Sequence, residues 1–109
     1  MPVGAWTSIG HRVTGILLAA AAPMGVYLLD LSLRSEQHFA LVGTWFGSWA
    51  VKVFAVISIW AFSHHLLAGI RHLLSDFGVG SPLQVARRTA WTVNAGGVAM
   101  ALLAAVVLL

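Results

Sequence analysis

Cysteine is absent from this 109-residue chain. Without a thiol, the chain can form no disulfide, ligate no iron–sulfur cluster and build no zinc–thiolate site. Any metal chemistry must therefore rest on the five histidines.

Charge is also scarce, because Lys and Arg number six, Asp and Glu three, and only 8% of residues are charged. A soluble globular chain has about 25% charged residues. Hydrophobic residues make up 60%, so an ordinary water-soluble enzyme is excluded and an integral membrane protein is predicted. Nucleic acid is excluded as a partner, because so few basic residues cannot form the basic patch that it requires.

Long uncharged stretches remain between the few charges, at residues 13–29, 53–70 and 89–109. Each stretch, with its flanks, reaches the roughly 30 Å of a bilayer core at about 1.5 Å per residue. A cleaved signal peptide is the competing interpretation of the first stretch, but no polar break follows its alanines. We predict an all-α fold in a single membrane-anchor domain, 1–109, with three transmembrane helices at about 8–33, 46–75 and 88–109.

Basic residues are distributed unequally between the two ends of these helices. One end carries Arg12, Arg71, Arg87 and Arg88, whereas the other carries Arg34 with Lys52 nearby. Because Lys and Arg are enriched on the cytoplasmic side, we expect the first end to face the cytoplasm or the mitochondrial matrix. The N-terminus is then inside and the C-terminus outside.

Ionisable residues in a membrane span are functional candidates, because burying them unpaired is costly. On the second predicted helix, a rotation of 100° per residue places one group of residues on a single narrow stripe: His65, Gly69, His72 and Asp76. His64 lies on another stripe, and periodicity alone does not choose between the two histidines. They could also simply hydrogen-bond neighbouring helices and bind nothing.

A second polar face begins the first helix, where Ser8, His11, Arg12 and Gly15 follow helical spacing. A neutral imidazole on a rigid helix is a usual axial ligand of b-type haem, and Arg or His suits its propionates. A bis-histidine haem needs a second imidazole from another helix at the same depth. His11 is expected at a helix end, as is His38, so we expect another chain to supply that ligand.

Two motifs carry a resemblance to a known family: Ser8-Ile-Gly-His11-Arg12-Val-Thr-Gly15 and His65-Leu-Leu-Ala-Gly69-Ile-Arg71-His72-Leu-Leu-Ser-Asp76. With the three-helix layout, the chain resembles the cytochrome b membrane-anchor subunit of succinate dehydrogenase, respiratory complex II. The resemblance covers nearly the whole chain. It implies one part of a heteromeric helix bundle, completed by a second small anchor subunit that supplies the other haem ligand, and bound to a flavoprotein and an iron–sulfur subunit.

The resemblance also implies roles for particular residues. His65 matches the axial ligand of haem b, and Ser8 and Arg12 match positions that line the quinone site. His11, Arg12 and His72 match the neighbourhood of the haem propionates. Asp76 matches an acid near that site, which suggests a path for protons or water. The sequence departs from the family pattern in that only seven residues precede Ser8, whereas relatives usually carry a polar leader.

The expected function is that of a haem b-binding anchor through which electrons from succinate reach a quinone substrate, in the inner membrane of a bacterium or a mitochondrion. The chain itself has no succinate-oxidising chemistry. A fumarate reductase anchor is a close alternative. A homodimeric bis-histidine haem carrier without a dehydrogenase and a haem-free packing subunit or channel are the other two.

Overall fold

The fold was obtained as a computed structural model, which describes residues 3–79 and 82–109. Four α-helices make up nearly all of these residues: α1 (Val3–Ser32), α2 (Glu36–Phe46), α3 (Trp49–Asp76) and α4 (Leu83–Leu108). No strand occurs in the described part of the chain. The all-α fold predicted from the sequence is therefore confirmed.

Three of the helices are long and apolar enough to cross a membrane, namely α1, α3 and α4, with 30, 28 and 26 residues. They agree with the three predicted spans, and the chain is a multi-pass integral membrane protein. Their bounds differ from the prediction mainly at the start. Both α1 and α4 begin five residues earlier than expected, and α4 does so because its first residue directly follows Pro82, where a proline is readily accommodated at a helix start.

The connection between α1 and α3 contains a helix that is not among the three predicted from the sequence. Ser35 caps α2, since its side-chain oxygen accepts a hydrogen bond from the backbone N–H of His38. Glu36 then places a negative charge in the first turn, where the helix dipole favours it. Ser48 caps α3 in the same manner through the N–H of Val51, which moves the start of that helix from residue 46 to Trp49.

The helices pack through small residues. α3 lies against both α1 and α4. The buried positions on α3 and α4 are mainly alanine and glycine: Ala61, Ala68, Ala90, Gly97 and Ala104. Small side chains let helix backbones approach closely in lipid, where burial of apolar surface gives little driving force between helices. Most large apolar side chains consequently face outward.

The first turns of α1, the end of α3 and the start of α4 meet at one end of the bundle. Arg71 joins them, because its Nε donates to the hydroxyl of Thr89 at 3.2 Å and a terminal nitrogen donates to the carbonyl of Ala86 at 3.2 Å. The same guanidinium lies 3.5 Å from where a Cβ on Gly4 would be. The predicted sharing of one end by these three segments is thus seen directly.

Candidate functional site

The His65 imidazole points from α3 towards α1. Its Nδ1 lies 3.0 Å from the backbone carbonyl oxygen of His11 and 3.3 Å from the hydroxyl oxygen of Thr14. A carbonyl oxygen can only accept a hydrogen bond, so in the neutral imidazole Nδ1 is the protonated nitrogen and Nε2 is the one with a lone pair. A histidine held in this way is ready to ligate a metal through Nε2, because the bond at the other nitrogen fixes both the tautomer and the ring orientation.

The His11 ring stacks on the His65 ring, with 4.1 Å between centroids and 6° between planes. His72 lies next to the same ring, at 5.3 Å and 60°. The expectation that His11 lies at a helix end is wrong, because α1 begins at Val3 and His11 falls in its third turn. This chain therefore does bring a second imidazole from another helix to the level of His65.

A glycine of the opposite helix faces each of the two rings. A Cβ on Gly15 of α1 would lie 3.1 Å from Cε1 of His65, and a Cβ on Gly69 of α3 would lie 3.6 Å from Nε2 of His11. Gly69, which the sequence pattern placed on the stripe of His65, therefore borders the His11 imidazole.

Together these residues form an open groove, which we call the histidine groove. It has a volume of about 400 Å³ and is lined by His11, His65, Leu66, Gly69, Ile70, His72 and Leu73. Its walls are mostly apolar except for the three imidazoles. Among the described residues, no group of three or more His, Asp or Glu side chains is arranged to hold a bare metal ion. A single axial imidazole in an apolar setting instead fits haem.

The remaining candidates lie nearer the ends of α1 and α3. Ser8 is half-buried and Arg12 is exposed, and Asp76 is the last residue of α3 and exposed. Ser8 lies one helical turn before His11 on the same face. The structure therefore brings together the three groove histidines but shows no direct contact between them and Ser8, Arg12 or Asp76.

The structure separates the two adjacent histidines that periodicity left equivalent. His64 is 4% exposed, and its Nε2 lies 3.5 Å from the carbonyl oxygen of Thr7. Its ring also lies 5.7 Å from the Trp60 ring. His64 thus faces the interior of the bundle, whereas His65 faces the histidine groove.

Comparison with known proteins identifies the family of the chain. The family model described as succinate dehydrogenase/fumarate reductase transmembrane subunit matches residues 1–106. The chain belongs to this family. Because the match runs from the start of the chain almost to its end, it includes both histidine-bearing motifs and all of α1, α2 and α3.

Individual members of the family show the same similarity. The succinate dehydrogenase cytochrome b556 subunit of Paracoccus denitrificans is 35% identical over 98% of this chain and 82% of its own length. The subunit of the same name from Coxiella burnetii is 35% identical over 84% of this chain and 74% of its own. That from Rickettsia conorii is 32% identical over 88% and 74%.

Some polar residues of this transmembrane subunit were missed by the sequence analysis. Thr7, Thr14 and Asn94 all make polar contacts between helices. A threonine or an asparagine inside an apolar span is the signal that could have identified them, since an unpaired polar group in hydrocarbon is costly. Arg71, which lies within the second family motif, bonds to α4 rather than to the histidine groove.

Proposed function

We propose that this chain is the cytochrome b membrane-anchor subunit of a succinate:quinone oxidoreductase, holding the catalytic subunits at the membrane and helping to form the quinone-reduction site. The observation that carries the proposal is the hydrogen bond from Nδ1 of His65 to the carbonyl of His11, which leaves Nε2 as a ligand. The family match and the names of the relatives, cytochrome b556 subunits of succinate dehydrogenase, support it.

In this proposal His65 holds haem b through Nε2. His11, Arg12 and His72 lie near the inner end of the spans, where cationic or hydrogen-bonding groups pair with propionates. When bound, haem b supplies a one-electron reservoir. The face-to-face stack of His11 and His65 does not aim two nitrogens at each other across a gap. A second protein ligand for the haem would therefore come from a partner, the second small anchor subunit, which would also cover the open histidine groove.

Ser8 and Arg12 bind the quinone. Neither side chain forms a hydrogen bond with another described residue, so the hydroxyl and the guanidinium are available to a ligand. The serine hydroxyl can donate to one quinone carbonyl oxygen, and the arginine can stabilise negative charge that develops there on reduction. Both effects are stronger where the local dielectric is low. Asp76, exposed at the same end of the bundle, is positioned to pass protons or water.

The electrons must be delivered by partner subunits. This chain has no cysteine for an iron–sulfur cluster, so an iron–sulfur subunit brings electrons one at a time from a flavoprotein that oxidises succinate. Both bind on the inner side, at the end where Arg12 and Arg71 lie. The membrane is the inner membrane of a bacterium or of a mitochondrion.

The direction of the reaction has a second candidate. The family description names fumarate reductase beside succinate dehydrogenase, and the same anchor chemistry serves electrons moving from quinol to fumarate. The similar relatives are named succinate dehydrogenase subunits, and for this reason we assign succinate oxidation.

The proposal is tested by gentle purification of the chain from its native membrane, followed by a reduced-minus-oxidised spectrum. We expect a b-type absorption band and three co-purifying proteins in equal amounts: a flavoprotein, an iron–sulfur protein and a second small membrane protein. Absence of the b-type band would favour a haem-free packing subunit. Recovery of a haem-containing dimer of this chain alone would favour the homodimeric carrier.

A further inference from the structure

A polar cluster that the proposed chemistry does not use joins α1, α3 and α4 inside the bundle. Its members are Thr7, His64 and Asn94, one from each helix. The Thr7 side chain is 0% exposed. Its hydroxyl lies 3.0 Å from the carbonyl of Val3 in its own helix, 3.1 Å from the side-chain oxygen of Asn94 and 3.4 Å from the carbonyl of Ala90, so its single proton is shared among these acceptors. The Thr7 carbonyl lies 3.5 Å from Nε2 of His64. One residue of α1 therefore contacts both neighbouring helices through polar atoms.

Glycines enclose the His64 ring on two sides. A Cβ on Gly97 of α4 would lie 3.2 Å from Cβ of His64, and a Cβ on Gly10 of α1 would lie 3.0 Å from Cε1 and closer still to Nε2. The ring thus occupies a space that a side chain on Gly10 would fill, while Gly97 lets the Cβ and backbone of His64 approach α4 closely. A contact this close holds the three helices in one relative rotation, since packed interiors yield little.

Two residues of the cluster, and the Gly10 that contacts it, each directly precede a proposed site residue in the sequence. Thr7 precedes Ser8, Gly10 precedes His11, and His64 precedes His65. The side chains of consecutive helix residues point 100° apart around the helix axis. If the first residue of a pair is held towards the bundle interior, the direction of the site residue that follows it is therefore fixed as well. The tip of a side chain lies about 5–6 Å from the helix axis. Rotating α1 by about 10° would therefore displace that tip by roughly 1 Å. A displacement of that size at a reacting group can cost about 100-fold in rate.

We propose that Thr7, His64 and Asn94 form a clamp that fixes the rotation of α1 against α3 and α4, and so positions Ser8 and His11 for quinone and haem. This inference rests on the proposed function, because it assigns these three residues to positioning the same site. The clamp residues touch neither the quinone nor the haem, and they act through the helix that carries the site. His64 therefore matters to the site without being an iron ligand.

The test uses variants of the assembled complex in its native membrane. Thr7→Val removes the hydroxyl with almost no change of shape, and Asn94→Leu removes the amide. Thr92→Val is the matched control, because the exposed Thr92 of α4 bonds only to the carbonyl of Arg88 in its own helix. His64→Leu removes the ring nitrogens, whereas His64→Gln retains a donor that can reach Thr7.

We expect Thr7→Val and Asn94→Leu to lower kcat/KM for quinone by about two- to twelvefold, the equivalent of one net hydrogen bond. Both should shift the haem midpoint potential while haem content and dye-linked succinate oxidation match Thr92→Val. His64→Leu should behave like Thr7→Val, and His64→Gln should recover part of the loss. A purely structural role would change the amount of complex without changing the potential.

Two results would overturn the clamp. In the first, all of these variants have the same kcat/KM and potential as Thr92→Val. In the second, Thr7→Val and Asn94→Leu lose the assembled complex, which would show that the cluster only holds the bundle together. Failure of the proposed function is distinct, because it would show already in the unsubstituted complex as a missing b-type band or as quinone reduction that does not require this subunit.

Discussion

The imidazole rings of His11 and His65 lie face to face, 4.1 Å apart and 6° from parallel, although one belongs to α1 and the other to α3. The contact is reinforced by the hydrogen bond between His65 and the His11 carbonyl, which spans 54 residues of sequence. It is favoured by glycine at position 15, where a Cβ would lie 3.1 Å from Cε1 of His65. This relationship makes the behaviour of several variants predictable.

His65→Ala should remove haem from the complex or severely perturb it, whereas His64→Ala should leave it bound. The reason is that His65 lines the histidine groove and forms its hydrogen bonds through Nδ1, whereas His64 is buried at the clamp. The b-type band of the purified variants measures the difference. A variant pair in which His64→Ala abolishes the band and His65→Ala retains it would reverse the assignment.

Gly15→Ala should weaken haem binding. The added methyl group would lie 3.1 Å from Cε1 of His65, which is tight enough to displace the ring, and overpacking of this kind typically costs about 1–3 kcal/mol. We therefore expect a shifted potential and easier loss of haem on detergent washing.

Gly25→Ala provides the matched control for that variant on the same helix. No atom lies within 4 Å of a Cβ at Gly25, and replacing glycine by alanine inside a helix favours the helix by about 0.5–1 kcal/mol. Haem retention should be unchanged. Equal haem loss in both variants would mean that helix packing in general, rather than contact with His65, governs retention.

Ser8→Ala should depress quinone reduction without altering the haem band. Loss of one hydrogen bond to a reacting oxygen would cost about 1–3 kcal/mol, or roughly ten- to a hundredfold in rate. Arg12→Lys should do at least as much damage, because a point charge does not replace a planar guanidinium. Rates are normalised to succinate oxidation with an artificial dye, which reports the amount of assembled complex. Unchanged quinone reduction in Ser8→Ala would move the quinone site away from α1.

A reporter fused after Leu109 should appear on the outer side of the membrane. Three spans that start inside must end outside, and the end that we propose to be inner carries four arginines, whereas the opposite end carries Arg34 with Lys52 nearby. Protease accessibility or the activity of a compartment-specific reporter reads the result. A C-terminus on the inner side would contradict the assigned polarity.

The sequence allowed the membrane class, the three spans and the family to be predicted. The first two follow from the long uncharged stretches that a bilayer requires, and the family follows from the two long motifs. It also identified His65, His72 and His11 as site candidates. Periodicity could not choose between His64 and His65, because the choice depends on which neighbouring helix packs on which side of α3. The stack of His11 on His65 was likewise hidden, since it required knowing that α1 starts at Val3.

The missed helix α2 has a different cause. Its 11 residues are too short to give a clear periodic signal, and an isolated helix of that length is only marginally stable in water. Its stability comes from the Ser35 cap and from packing against α1 and α3. Thr7 and Asn94 were overlooked because each is a single polar residue in an apolar stretch. Their structural role is recognisable only from the contact between them.

The length of α1 bears on where the protons of quinone reduction come from. Thirty residues span about 45 Å, roughly 15 Å more than a bilayer core. If that excess is shared between the two ends, Ser8 lies about at the hydrocarbon boundary, since it is five residues into the helix. Under the proposed function, a quinone ring bound there takes its protons from water on the inner side. No charge crosses the membrane, and turnover in energised vesicles should not respond to an uncoupler.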